Sequence, residues 1–150
     1  MAVTGNKLKR FLKFWPPYLG AGIKIDSISD DWKNMVVSMK LHWYNRNAVG
    51  THFGGSLSSM VDPHYMLMLL NILGKEYVVW DLSCCIEFVK ASKEPVKAEF
   101  MITDEKINTI KEKTKNGEKY LPNFELDIID AKNNVVAKVK KTLYIRLKQA

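Results

Sequence analysis

The sequence has only two cysteines, and they are the adjacent residues Cys84 and Cys85. Neighbouring side chains on a β-strand point to opposite faces, so the pair predicts neither a disulfide framework nor a zinc site. We therefore expect two core thiols in a protein of a reducing compartment, with no bound metal.

The sequence also lacks a long apolar run, since none reaches the roughly 18 residues that a membrane-spanning helix requires. The basic N-terminus leads into FLKFWPPYLGAGI, but Lys13, Pro16 and Pro17 interrupt this stretch, and no clear small-residue cleavage site accompanies it. These absences indicate neither a signal peptide nor integral membrane contact. We therefore expect a cytoplasmic protein.

Clusters of arginine are missing as well, although the formal net charge is +7. Most of the positive charge comes from lysines scattered along the chain, without the interleaved aromatics on which single-stranded nucleic acids stack. We therefore predict no nucleic-acid partner. A basic surface also suits a small polyanion that carries a nucleotide, because lysines near a pocket raise its local concentration.

Low-complexity tracts and solenoid-type repeats are absent too. What remains is a chain of 150 residues with 47% apolar residues. This length and composition suit one globular core, so we predict a single domain over residues 1–150.

Apolar residues recur at helical spacing near the N-terminus, where residues 7–15 predict an amphipathic helix that ends at two prolines. Its apolar stripe either covers the core of the domain, which we favour, or lies on a membrane surface. Residues 22–28 and 35–41 predict a β-hairpin. The run 54–73 is apolar on nearly every side and ends before Gly74, which predicts one central, buried helix.

The second half of the sequence predicts four more strands and one short helix. The predicted strands are 77–88, 96–102, 124–129 and 135–147. The segment 103–117 predicts an exposed helix with Thr103 as its N-cap. Because only a curved sheet covers a helix as apolar as the central one, we predict an α+β fold in which a curved antiparallel sheet wraps around that helix.

Residues 47–62 read NAVGTHFGGSLSSMVD. Together with the order of elements, this segment resembles the signature of the hotdog-fold acyl-CoA thioesterases, particularly the phenylacetate-pathway and 4-hydroxybenzoyl-CoA type. That signature runs Asn, two residues, Gly, two residues, His-Gly-Gly, six residues, Asp. The residues in register are Asn47, Gly50, Gly54, Gly55 and Asp62. Phe53 takes the position of the family's histidine, and His52 lies one residue earlier. The helical linker between the fourth and fifth strands is similar to an uncharacterised thioesterase-like branch.

The glycine pair and the aspartate are the main catalytic candidates. Gly54 and Gly55 let a carbonyl approach the backbone where the helix begins, and free N–H groups there favour developing negative charge. Asp62 lies about two turns deeper on nearly the same face as Gly55. The resemblance implies that the Gly55 N–H is an oxyanion donor and that Asp62 is either the nucleophile or a general base.

A second interpretation of Asp62 is structural. Aspartate followed by proline is a common helix start, with Asp62 as the N-cap and Pro63 as the first helical residue. Within a continuous helix, Pro63 would also remove the hydrogen bond to Ser59 and kink the axis. Both interpretations are compatible with a kink at the active site.

The resemblance adds further candidates around this segment. Asn47 would hold the substrate or the attacking water, and Ser83 would orient water unless it is an ordinary strand serine. His52 would polarise the thioester unless it is a turn residue bonded to the backbone, whereas His64 is expected in the core or an interface. The predicted substrate-binding residues are Phe53, Gly54, Lys90 and Lys93, and Lys90, Lys93 and Lys97 are candidates to meet the phosphates of CoA.

The resemblance implies that the protein hydrolyses an acyl-CoA or acyl-carrier thioester to a free acid and a thiol. Coenzyme A is then part of the substrate, no cofactor is needed, and the sites form between subunits of a homodimer or a dimer of dimers. One alternative is a non-catalytic acyl or lipid-binding module, which the shifted histidine and Pro63 favour. Another is a hotdog dehydratase, in which a histidine precedes a phenylalanine as His52 precedes Phe53.

Overall fold

The computed structural model describes residues 4–149, so the predicted domain boundaries at 1 and 150 lie outside the described residues. The helices are α1 (Gly5–Lys13), α2 (Pro16–Ala21), α3 (Gly54–Ser59), α4 (His64–Leu73) and α5 (Asp104–Thr114). The strands are β1 (Ile23–Ile28), β2 (Asn34–Met39), β3 (Tyr77–Phe88), β4 (Val96–Met101), β5 (Lys119–Tyr120), β6 (Asn123–Asp130) and β7 (Val135–Leu147).

Within residues 4–149, these strands form one sheet in the order β1-β2-β4-β6-β7-β3, and β5 pairs with β7. Every pairing is antiparallel. Buried and exposed side chains alternate along β4 and β6, so one face of the sheet turns toward a core. Tyr65, Met68 and Leu69 of α4 are buried in that core. The predicted α+β fold, with a curved antiparallel sheet around apolar helical residues, is confirmed.

The prediction of one central helix over residues 54–73 is wrong. The segment forms two helices, α3 and α4, with an interruption from Met60 to Pro63. Pro63 has no N–H group to donate to the carbonyl of Ser59, and its ring crowds the preceding turn. The chain therefore leaves the α-helical path before it resumes at His64.

Two short elements were not predicted from the sequence. Pro16 and Pro17 end the first helix as predicted, but they also begin α2, because proline fits the first turn of a helix. The strand β5 has two residues and pairs with the end of β7. No helix in residues 4–149 is long and apolar enough to cross a membrane.

The prediction that Cys84 and Cys85 are core thiols is also wrong, since both are exposed. They lie on β3, at the end of the strand order, where β7 flanks only one side. A bulge at Leu82 shifts the register between Asp81 and Ser83, so that Cys84 pairs with Lys141. The bulge therefore decides which β3 side chains turn toward the helices.

Candidate active site

The interruption between α3 and α4 borders a cavity in which Asp62 is exposed. The N–H groups of Val61 and Asp62 bond to carbonyls three residues back, as in a 3₁₀ turn. The cavity has a volume of about 280 Å³ and includes Trp15 at the N-cap of α2, Tyr18 within α2 and Cys84 on β3. The Asp62 side chain is 68% exposed, so its carboxylate can be reached from this cavity, which we call the Asp62 cavity.

The interpretation of Asp62 as a helix cap is wrong. The residue that flanks α4 is Pro63, and no side chain accepts a capping hydrogen bond at that end of the helix. The carboxylate is therefore not engaged by the backbone N–H groups of α4, which leaves it available to a ligand in the cavity.

A buried lysine, Lys141 of β7, lies beneath the interruption. Its side chain is 0% exposed, and its ammonium donates hydrogen bonds to the carbonyl of Val61, at 3.3 Å, and to the carbonyl of Asp62. Nζ of Lys141 lies 2.9 Å from Oδ1 of Asp81 and 3.8 Å from Oδ1 of Asp62. A buried ammonium is tolerated only with such charged and polar partners.

Asp81 of β3 is the nearer of the two carboxylates to Lys141, and its side chain is 22% exposed. Nζ of Lys141 is close enough to Oδ1 of Asp81 to form an ion pair, but the angles at these two atoms do not fit a hydrogen bond. Burial raises the pKa of Asp81, Lys141 opposes this shift, and the negative charge of Asp62 adds to it. Two carboxylates thus share the field of one buried cation.

Tyr18 and His64 form a buried pair beside the same cavity. The Tyr18 hydroxyl lies 2.9 Å from Nε2 of His64, and the histidine is 0% exposed. Burial, followed by the positive charge of Lys141, lowers the pKa of His64 to about 3, so the imidazole is neutral. The prediction that His64 is a core histidine is confirmed.

A second cavity lies at the other end of α3 and has a volume of about 380 Å³. We call it the α3 N-terminal cavity. Five of the residues predicted from the sequence line it, namely Asn47, His52, Phe53, Gly54 and Lys90. The loop before α3 and the segment after β3 bring these residues together, although they lie far apart in the sequence.

Asn47 and His52 are both engaged by the protein itself. Oδ1 of Asn47 accepts from the N–H groups of Val49 and Thr51, and Nδ2 donates to Thr51 Oγ1 and to the His52 carbonyl. Nε2 of His52 lies 2.8 Å from the carbonyl oxygen of Glu94, which makes it the protonated nitrogen. Burial lowers the pKa of His52. In this arrangement Asn47 shapes the loop, and His52 holds the loop against the segment before β4.

Aromatic rings cover the two glycines at the start of α3. A Cβ atom on Gly54 would lie 2.9 Å from the Phe88 ring, and one on Gly55 would lie 2.4 Å from the Phe53 ring. Both positions therefore require glycine unless the rings move. Within residues 4–149, no acceptor is bonded to the Gly55 N–H, and both rings are about half exposed.

The two cavities are separate within one chain. Asp62 borders the first and Gly54 borders the second, and neither cavity includes both. Gly55 and Asp62 are seven residues apart, and α3 ends between them at Ser59. Gly55 lines neither cavity, so neither of them joins its N–H group to the Asp62 carboxylate within one chain.

Residues 6–145, almost the whole chain, match the family described as Domain of unknown function (DUF4442). The chain belongs to this family. No curated protein matches its sequence.

Solved structures share the fold of this DUF4442 chain. A probable thioesterase of unknown function from Pseudomonas aeruginosa is 15% identical, with a TM-score of 0.87 and coverage of 99% of both chains. A thioesterase from Haemophilus influenzae is 13% identical, with a TM-score of 0.69 and coverage of 98% of this chain and 96% of that chain. A hypothetical thioesterase from Streptococcus pneumoniae, solved with coenzyme A, is 17% identical, with a TM-score of 0.61 and coverage of 94% and 98%. These likenesses confirm the hotdog fold, whereas the phenylacetate and 4-hydroxybenzoyl-CoA branch stays a prediction.

The remaining predicted residues of the DUF4442 chain lie apart from both cavities. Ser83 pairs with Thr142, on the face of the sheet opposite to Lys141 and Cys84. Lys93 is exposed beyond the lining of the α3 N-terminal cavity. Lys97 forms an ion pair with Glu99 at 2.8 Å. Of the predicted phosphate contacts, Lys90 is therefore the one that borders a cavity.

Three residues of the candidate site were not predicted from the sequence, namely Lys141, Asp81 and Tyr18. A signal for Lys141 was present, because every second residue along β7, from Ala137 to Ile145, is buried, and Lys141 occupies the middle of that series. Among residues 4–149, no group of three or more His, Cys, Asp or Glu side chains is arranged to hold a metal ion.

Proposed function

We propose that this DUF4442 protein hydrolyses an acyl thioester, either an acyl-CoA or an acyl-carrier thioester, to a free acid and a thiol. The observation that carries the proposal is the Asp62 carboxylate, which is exposed on a cavity wall while its backbone is bonded to a buried ammonium. An accessible carboxylate on a rigid support is the arrangement that a hydrolytic base or nucleophile requires.

Two mechanisms are compatible with this carboxylate. As a general base, Asp62 takes a proton from water while the water oxygen attacks the thioester carbon, and the carbon–sulfur bond then breaks to release the thiol. As a nucleophile, Asp62 attacks the same carbon, the carbon–sulfur bond breaks to release the thiol, and water then hydrolyses the mixed anhydride to the free acid and the Asp62 carboxylate. In both, the carbonyl oxygen becomes negative and needs a hydrogen-bond donor, and the unbonded Gly55 N–H is our candidate.

We further propose that each active site uses two copies of the chain. Asp62 and Gly55 do not share a cavity within one chain, so a second copy must bring its α3 N-terminus to the first copy's Asp62 cavity. In a two-fold dimer this exchange happens twice, because each surface meets its counterpart. The exposed Phe88, on the strand β3 at the end of the sheet, suits contact with a second subunit.

The structural relatives support an acyl-CoA as the substrate class. Three similar folds carry the name thioesterase, and one was solved with coenzyme A. Lys90 lines the α3 N-terminal cavity and offers an ammonium to a phosphate group. Lys93, in the same exposed loop, is a second candidate.

The first experiment measures thiol release from acyl-CoAs of different chain length and from an aromatic acyl-CoA. Asp62→Asn keeps the size of the side chain but removes its basicity, so we expect kcat to fall by at least about 100-fold. Asp127→Asn changes an exposed carboxylate of β6 in the same way and serves as the matched control, with no expected change.

A wild type that binds acyl-CoA tightly but releases no thiol would contradict the proposal. It would favour the acyl-binding module, for which the occupied Asn47 and His52 side chains provide an argument. Equal turnover by the wild type and Asp62→Asn would retain hydrolysis but remove Asp62 from it.

A further inference from the structure

We propose that Lys141 is a positioning residue for Asp62 and that Asp81 is the counter-ion of Lys141, an inference that rests on the proposed function. Lys141 touches neither cavity and is therefore not expected to contact the substrate. It acts through the backbone of Val61 and Asp62, which its ammonium holds in the interrupted stretch between α3 and α4.

The position of Lys141 explains why its ammonium reaches the backbone of Val61 and Asp62. The residue lies on the inward face of β7, and its side chain is fully buried. An ammonium has three N–H donors, and their neighbours here are the carbonyls of Val61 and Asp62 and the carboxylate of Asp81. All three partners lie on the helix interruption or on β3, so the lysine connects these two elements.

The helix interruption supplies the acceptors that Lys141 needs. In a continuous helix, the carbonyls of Val61 and Asp62 would accept from N–H groups four residues later. Pro63 and the tight turn before it take the chain off that path. Lys141 satisfies both carbonyls, and the hydrogen bonds fix the backbone from which the Asp62 side chain extends.

Asp81 prevents Lys141 from capturing the Asp62 side chain. Its Oδ1 lies 2.9 Å from Nζ, whereas Oδ1 of Asp62 lies 3.8 Å away. The Asp81 side chain is 22% exposed, and that of Asp62 is 68% exposed. The partly buried carboxylate of Asp81 thus pairs with the lysine, while the exposed carboxylate of Asp62 stays free to meet a ligand.

The test compares four proteins by thiol release under saturating and limiting acyl-CoA. They are the wild type, Lys141→Met, the double variant Lys141→Met with Asp81→Asn, and the control Lys140→Met. Lys140 is adjacent, but its side chain is 56% exposed and its nearest partner, Glu125, is 3.8 Å away. Methionine fills the space of lysine without its charge, and the double variant leaves no buried carboxylate without a partner.

We expect kcat to fall by about 100-fold in Lys141→Met, the effect of a misplacement of about 1 Å, with little change in KM. The double variant should recover the melting temperature but not kcat, because the hydrogen bonds to Val61 and Asp62 are still missing. The control should match the wild type. If Lys141 had a structural role alone, the double variant would recover kcat together with the melting temperature.

Three outcomes would overturn the inference. Wild-type kcat in a folded Lys141→Met removes the positioning role, and so does recovery of kcat in the double variant. Absence of turnover in the wild type overturns the proposed function itself and this inference with it, a result that differs visibly from the other two.

Discussion

The buried pair of Tyr18 and His64 shows how a single residue in this core responds to its surroundings. His64 is surrounded by protein, and Tyr18 lies within hydrogen-bonding distance of its Nε2. Burial and the nearby positive charge of Lys141 keep this ring neutral. A neutral buried histidine makes the stability of the fold depend on pH.

We expect the protein to lose stability in mild acid because of His64. In the unfolded chain a histidine has a pKa near 6.5, whereas burial and Lys141 lower the pKa of His64 in the folded protein to about 3. Between these values the unfolded state binds one proton more than the folded state does. The contribution of His64 to stability is therefore fully present above pH 6.5 and declines as pH falls toward 3. The loss between pH 7 and pH 5 is about 2 kcal/mol.

Urea unfolding at the two pH values measures this effect. His64→Gln retains a polar partner for Tyr18 and should lose about 2 kcal/mol less than the wild type over this range. His42→Gln changes an exposed histidine and should behave as the wild type does. Parallel pH curves for the wild type and His64→Gln would show that His64 is not the titrating group.

At the scale of elements, the interruption between α3 and α4 depends on Pro63. An alanine there restores an N–H group that can donate to the carbonyl of Ser59, so the two helices can join. The carbonyls of Val61 and Asp62 would then turn away from Lys141. We expect kcat of Pro63→Ala to fall at least about tenfold while helix content, from circular dichroism, stays the same or rises.

The control for this variant is Pro95→Ala, which changes an exposed proline before β4. Its carbonyl still accepts from Ala131, and we expect no change in kcat. A fully active Pro63→Ala would mean that the interruption is not required for the position of Asp62.

The sequence predicted most elements because their patterns are local. The alternation of apolar residues marked the strands, and Thr103 marked the start of α5, where its side chain accepts from the Lys106 N–H. The helix interruption was foreseen only as a kink at Pro63, since apolar residues continue on both sides. The face of the sheet on which Ser83 lies depends on a bulge at Leu82, and no local sequence pattern predicts that bulge.

The candidate site was predictable only in part for the same reason. Asp62 and the glycine pair belong to one continuous motif, whereas Lys141 and Asp81 reach Asp62 through the pairing of β7 with β3. A contact between residues about 80 positions apart follows from the register of strands, which the sequence alone did not determine.

At the scale of the whole molecule, β3 is an uncovered edge. Within residues 4–149, its far side has no strand partner, and it carries exposed Trp80, Leu82 and Phe88. A long edge strand with apolar side chains tends to pair with another chain, and monomeric proteins usually protect such edges with charged side chains. These features favour the proposed dimer.

We expect Leu82→Lys to convert the proposed dimer to a monomer and to abolish the proposed thiol release, because each chain would retain half of the proposed composite site. Light scattering after size-exclusion chromatography measures the mass. Met101→Lys, which adds the same charge at an exposed apolar residue of β4, is the control and should remain dimeric. An active monomer of Leu82→Lys would contradict the two-chain site.

The exposed Cys84 has a practical consequence for work on this protein. Its thiol borders the same cavity as Asp62, whereas Cys85 points to the other side of β3. Serine at position 85 would leave one attachment point for a fluorophore or a spin label beside the proposed site. Burial raises the pKa of Cys84, so labelling calls for alkaline buffer, and the dye would then report the arrival of an acyl chain in real time.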